Sequence, residues 1–243
     1  MISCENLSIS FKNSELFNAL HVKIDSHVSI LGENGAGKSS LAKAICNFID
    51  YEGDVYLNNI NTTHFTAKEL AKEICYIPAK LENFDKYLRV LDFVLMGRYL
   101  YKPSFLDYSQ EDRNKVRKIL ESLSLLHLQE SYIDSISSGE AQLLLIAQAL
   151  LTSSKILIFD EPTANLDPKN SFKIFTLLQS LKATHHIILI THDIHLAQHF
   201  NEDILFVQNG SITPYTKNDF FKAELLSQLY TCKFDEELRV AYV

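Results

Sequence analysis

HVSILGENGAGKSS, residues 27 to 40, decides the fold. A short apolar strand runs into a glycine-rich turn and then into LAKAICNF, whose apolar spacing is helical. Gly32, Glu33, Asn34, Gly35, Ala36, Gly37, Lys38 and Ser39 fit the pattern GxxxxGK(S/T) in full, and Ser40 follows within the helix start. Amide groups of such a loop and the positive end of the following helix suit a phosphate chain. Lys38 can reach the β- and γ-phosphates of such a chain, and the Ser39 hydroxyl suits Mg²⁺.

Two further apolar runs end in polar chemistry. KILIFDEP (155 to 162) reads as a strand buried on both faces of a parallel sheet, closed by Asp160 and Glu161. Asp160 suits the metal, and Glu161 at the strand's carboxyl end suits polarisation of an attacking water. Alone, the pair could cap the next helix; beside a phosphate loop it reads as catalytic. HHIILITHD (185 to 193) supplies another buried strand, followed by His192 as a candidate contact to the γ-phosphate. The spacing of His192, His195 and His199 puts them near one helical face, but no matching ligand cluster accompanies them. His195 and His199 are read as surface or packing residues.

ISSGEAQ (136 to 142) precedes LLLIAQALL, an apolar helical stretch. Ser137 and Glu140 have the spacing of a capping box. That leaves Ser138 and Gly139, which keep the helix entrance free of bulk, as expected where something must approach the backbone.

The 243 residues are 47% hydrophobic and 22% charged, enough for one large domain or two lobes. A net charge of −7 gives no global reason to bind nucleic acid or anionic lipid. Cys4, Cys46, Cys75 and Cys232 form no C-x-x-C pair, which favours free thiols over disulfides or zinc. Neither a signal peptide nor an apolar run of about 20 residues is visible, so a cytosolic chain is expected. No linker separates modules, and a second lobe must be an insertion.

The order of motifs, phosphate loop, ISSGEAQ, ILIFDE, ANLD and THD, resembles an ABC-type ATPase through almost the whole chain. ISSGEAQ resembles the family signature LSGGQ. The resemblance implies an α/β P-loop core with an inserted α-helical lobe: one domain over 1–243, with about 1–83 and 152–217 as core, about 84–151 as helical lobe, and 218–243 as a short tail. It implies a head-to-tail homodimer in which the signature of one copy closes over ATP held by the other. Ser137 and Gly139 would then contact the partner's γ-phosphate, Asp167 in ANLD would link the two sites, and Phe11 would stack on adenine. Taken alone, Phe11 reads as a core or strand residue.

Strands are expected near SILG, CYIP, ILIF, IILI and ILFV, a hairpin at Asn209-Gly210, and a helix over 108 to 123 that buries Val116, Ile119, Leu120 and Leu123. VLDFVLMGRY (90 to 99) resembles a segment of importers of iron chelates, haem and vitamin B12, with Met96, Gly97 and Arg98 carrying most of the likeness. The implied partners are transmembrane permease subunits and, through them, a periplasmic or extracellular substrate-binding protein. The subunit would lie on the cytoplasmic face of the membrane, its lobe receiving a short permease helix beside Ala79 to Tyr101. A soluble ABC ATPase of cofactor assembly or nucleic-acid repair, or a regulatory ATP-binding module, would carry the same ATP motifs. Departures from the family pattern are Asp25-Ser26, Ser40, Ser138, Ala141 and Ala79. The last stands where glutamine is usual, with Lys80 or Glu82 as a nearby stand-in and Glu82, an oxygen ligand, the better suited to face a metal.

Overall fold

The computed structural model describes residues 1–11, 14–82, 84–85, 87–102, 107–235 and 237–238. The first part of the chain forms β1 (Ile2–Phe11), β2 (Ser14–Ile24), β3 (Val28–Gly32), α1 (Lys38–Ile45), β4 (Glu52–Leu57) and β5 (Ile60–Asn61). The middle forms α2 (Ala67–Glu73), β6 (Ile74–Ile77), α3 (Val90–Leu95), α4 (Gln110–Ser122), α5 (Ser138–Leu151), β7 (Ile156–Asp160) and α6 (Pro168–Leu181). The last part forms β8 (His186–Ile190), α7 (Ile194–Phe200), β9 (Asp203–Gln208), β10 (Ser211–Tyr215), α8 (Lys217–Phe220) and α9 (Ala223–Leu229). The chain divides into two compact units, Met1–Phe65 with the segment from His186 onward, and Thr66–His185.

The first unit contains an antiparallel sheet in the order β2-β1-β4-β5. Along β1, Ile2, Cys4, Leu7 and Ile9 are buried, an alternation interrupted by a register shift between Cys4 and Leu7. The same unit holds a run of strands in the order β10-β9-β3-β8, with β3 parallel to both β8 and β9. All five residues of β3 are buried, as expected for a parallel strand covered on both faces. Asn209 (φ 49°) and Gly210 (φ 71°) join β9 to β10 with two left-handed residues, the tight hairpin that an Asn-Gly pair favours. Phe220, Leu226, Phe234 and Leu238 pack in one cluster with Leu31 and Phe206, so the region from 218 onward contributes to this unit's core.

In the second unit β6 and β7 are parallel, in register from Ile74 opposite Ile156 to Ile77 opposite Phe159. Between 84 and 151 the described residues are helical or irregular apart from one bridge between Arg89 and Tyr132. Ser109 caps α4 and shares a capping box with Asp112, so the helix starts two residues later than the expected 108. Val116 and Leu120 are buried, while Ile119 is only half-buried. α5 buries residues all around its circumference, as an interior helix must.

Met96–Tyr101 forms a 3₁₀ turn in which Gly97 is buried and Met96, Tyr99 and Tyr101 are exposed. A Cβ on Gly97 would lie 2.3 Å from the Gln148 carbonyl oxygen, so glycine allows the turn to touch α5. Arg98 Nε donates to Asp112 Oδ1 at 2.9 Å, Nη1 donates to the Leu151 carbonyl at 3.2 Å, and the guanidinium lies 4.1 Å from the Tyr101 ring centre. Among the described residues no helix is long and apolar enough to cross a membrane.

Candidate nucleotide site

β3 delivers the phosphate loop and α1 receives it: the strand ends at Gly32 and the helix begins at Lys38. Gly37 caps α1 with φ 102°, and a Cβ there would lie 2.8 Å from Phe17 Cε2 and 2.9 Å from Leu16 Cδ2. Glycine is therefore required by both backbone and space. At Gly35 an added Cβ would meet nothing within 4 Å, and Glu33, Asn34 and Gly35 are exposed. No side chain caps α1 and its first turn holds no acid, so its opening amides and positive dipole end are left for an anion.

Lys38 is 6% exposed. Its Nζ donates to the carbonyls of Gly32 at 2.7 Å and Glu33 at 2.9 Å, a way to keep a buried ammonium solvated by the loop itself. Glu33 to Ala36 also rim a cleft of about 490 Å³, completed by Glu15 to Asn18 and Val207 to Gly210. Ser39 and Ser40 are half-buried on the first turn of α1, and Phe11, at the end of β1, is 49% exposed.

In the same unit the Thr191 amide donates to the Ile30 carbonyl at 3.1 Å, which continues the pairing of β8 with β3. His192 is exposed and leaves from the same strand end as the phosphate loop. It does not share a helical face with His195 and His199, contrary to the spacing argument. Asp193 caps α7, accepting from the amides of His195 at 2.9 Å and Leu196 at 3.0 Å, so His192 lies before the helix.

The second unit holds the carboxylates and the signature. Asp160, 4% exposed, ends β7. The Tyr76 hydroxyl donates to its Oδ2 at 2.5 Å, while its buried Oδ1 has no hydrogen-bond partner. Glu161 is half-buried and has φ 49°, a left-handed backbone unusual for a residue with a side chain. β6 leaves the sheet beside it through Pro78 to half-buried Ala79. The Glu82 carboxylate pairs with Lys80 at 2.5 Å, both side chains largely exposed.

Ser137 caps α5 in a complete capping box with Glu140, and these hydrogen bonds hold the Glu140 carboxyl below its ordinary range. Gly139 is buried, and a Cβ there would lie 2.6 Å from Asn170 Cγ. Asn170 in turn donates from Nδ2 to Asp167 Oδ2 at 2.6 Å, and its amide donates to Oδ1 at 2.9 Å. Hydrogen bonds from the Asn170 amide and side chain lower the Asp167 carboxyl. The bare signature thus has a partner in its own chain: Gly139 makes room for the asparagine that holds Asp167. Buried Gln142, one turn along α5, donates to the Pro78 carbonyl at 3.4 Å.

Tyr76, Gln142 and Asn170 are contacts that the sequence does not announce. Tyr76 is the polar exception in apolar ICYI, but its target is 84 residues away in sequence and follows only from strand register. The residues present fit ATP with Mg²⁺. In the first unit an open amide loop with a buried lysine suits a triphosphate, and in the second a buried carboxylate oxygen without a donor has the chemistry of a ligand for a hard cation.

The ABC transporter family model matches residues 18–164. An uncharacterized ABC transporter ATP-binding protein of Methanocaldococcus jannaschii is 31% identical over 236 residues, covering 95% of this chain and 91% of that protein. The ferric enterobactin transport ATP-binding protein FepC of Escherichia coli is 27% identical, covering 93% and 85%. A solved dimeric ATP-binding cassette in a post-hydrolysis state with ADP and Pi superposes with a TM-score of 0.78 at 26% identity, covering 89% of this chain and 99% of that one. With the phosphate loop, signature and carboxylate pair in place, the chain belongs to the ABC transporter family as an ATP-binding, ATP-hydrolysing cassette.

Proposed function

We propose that this ATPase powers a bacterial importer of an iron chelate, haem or vitamin B12, as a homodimer bound to transmembrane permease subunits. The observation that carries the importer reading is the surface of the segment from Phe84 to Tyr101. Phe84, Tyr87, Met96, Tyr99 and Tyr101 are exposed there, in the composition of a protein interface. Lys68 and Lys72 lie 5.0 and 5.3 Å from the rings of Tyr99 and Tyr101, adding cations to the same surface. The relationship to FepC supports a chelate as cargo. About 84–151 serves as the helical lobe that receives a short permease helix, and the subunit sits on the cytoplasmic face of the membrane. The cargo is presented to the permease by a substrate-binding protein.

In this reading Gly32 to Ser40 hold the triphosphate, with Lys38 moving from the loop carbonyls to phosphate oxygens. Phe11 stacks on adenine. Ser39 and Asp160 hold Mg²⁺, which supplies charge neutralisation at the phosphates when bound. Glu161 polarises the water and His192 contacts the γ-phosphate. Ser137 and Gly139 close over the partner's nucleotide and Asp167 links the two sites. Closure around two ATP molecules and reopening after hydrolysis drive the permease between access states.

Co-expression with candidate permease subunits of chelate, haem and cobalamin importers, followed by reconstitution with the matching binding protein, tests the proposal. ATP turnover should rise when loaded binding protein is added. Turnover indifferent to chelate, haem and cobalamin, or failure to co-purify with any membrane subunit, would refute the importer assignment.

A further inference from the structure

We propose that Tyr76 is a positioning residue for the metal carboxylate, fixing which oxygen of Asp160 meets the cation; this rests on the assignment of Asp160 to Mg²⁺ above. The strand register creates the contact. Tyr76 stands opposite Ile158 in the parallel pair β6–β7, and Asp160 lies two residues further along β7 on the same face. A diagonal neighbour at that spacing is within reach of a long side chain. The phenol O–H donates to Oδ2 at 2.5 Å, the length of a charge-assisted bond.

The two carboxylate oxygens are thereby made unequal. Oδ2 accepts a hydrogen bond from the protein, whereas Oδ1 is buried and accepts none. Carboxylates in protein interiors are normally saturated with donors, so an unpaired oxygen beside a paired one is the arrangement expected of a ligand oriented by its neighbour. The Tyr76 bond also restrains rotation about the Cβ–Cγ bond of Asp160, so that the same oxygen, Oδ1, is left without a donor at each binding event. A phenol can do this without competing for the cation, because it donates its proton to the carboxylate.

The test compares wild type with Tyr76→Phe, which keeps the ring and removes only the hydroxyl. Mn²⁺ serves as the paramagnetic probe. Free Mn²⁺ is titrated by electron paramagnetic resonance in the presence of protein and ATP, and ATP affinity is measured separately in EDTA. The expected result is a loss of about tenfold in Mn²⁺ affinity, the low end for removing a group that orients a metal ligand. ATP affinity in EDTA should stay within about twofold. In an Asp160→Asn background, Tyr76→Phe should cause no further loss, because the positioned carboxylate is gone. If Tyr76→Phe does not fold, Tyr76→Met, an unbranched filler without a donor, carries the same comparison. Equal Mn²⁺ affinity in wild type and variant overturns the proposal. So does a variant that loses ATP binding equally with and without metal, since that pattern belongs to a purely structural tyrosine. A wild type whose ATP binding shows no dependence on metal at all would overturn the Asp160 assignment itself, and the role of Tyr76 with it.

Discussion

Replacing Gly139 with alanine separates the two reasons for a bare signature. The new Cβ would lie 2.6 Å from Asn170 Cγ and 2.7 Å from its Nδ2, against an ordinary contact of about 3.5 Å or more, so the Asn170 side chain must retreat by about 1 Å. It is half-buried and its far end is the part struck, so the penalty falls near the low end of overpacking, on the order of 1 kcal/mol. Gly139 is the second residue of α5, where alanine is favoured over glycine by up to the roughly 0.8–1 kcal/mol of a helix interior. The two nearly cancel. Thermal unfolding should move by no more than about 2–4 °C. If Gly139 also closes over the partner's nucleotide, turnover should fall by tenfold or more while monomeric ATP affinity is unchanged. The deciding assay is the double variant Gly139→Ala/Asn170→Ala, which removes the side chain that the methyl strikes. Turnover below that of Asn170→Ala alone supports an interface role; turnover equal to that of Asn170→Ala alone would refute that reasoning and leave Gly139 as a packing residue that frees Asn170 to hold Asp167.

Lys38→Ala should abolish productive ATP binding, whereas Glu161→Gln should keep binding, slow hydrolysis and trap an ATP-loaded dimer visible by size-exclusion chromatography; unchanged turnover in Glu161→Gln removes it from catalysis. Ala79→Gln should raise permease-stimulated hydrolysis more than ATP affinity, by up to roughly tenfold if a contact worth about 1.4 kcal/mol is gained in the transition state; identical kinetics in the assembled transporter count against it. Acid should weaken the helical region. Hydrogen bonding to Arg98 lowers the Asp112 carboxyl and bonds from Ser137 lower that of Glu140, so their stabilisation is present above the ordinary carboxylate range and is lost as pH falls through the depressed values. Melting temperature followed downward from about pH 5 should fall less steeply in Ser137→Ala than in wild type.

The phosphate loop was legible because three signals coincide at one place: an apolar strand, glycines and a helix onset. β7 and β8 declared themselves as uninterrupted apolar runs, and Asn209-Gly210 declared its own turn. β1 was not legible, since its alternation slips between Cys4 and Leu7 where the pairing shifts. Met96-Gly97-Arg98 was read for its likeness to importer segments, yet Gly97 and Arg98 are occupied against α5 and with Asp112 inside the protein. Only Met96 of the three shows a largely exposed side chain. Contacts such as Tyr76 with Asp160, and Gly139 with Asn170, depend on register and helix placement across tens of residues, which no local pattern encodes.

The left-handed backbone at Glu161 sets this position against the interests of the fold. Glycine would adopt that conformation freely, and asparagine more easily than glutamate, which carries a penalty of about 1–2 kcal/mol there. A laboratory selection for heat resistance alone would therefore drift toward Glu161→Gly, gaining a few degrees. If Glu161 polarises the attacking water as proposed, such winners would be sturdier and inert. Stability screens on this cassette need a turnover readout beside the melting curve, because under the role proposed for Glu161 the side chain the backbone prefers is the one that would end the chemistry.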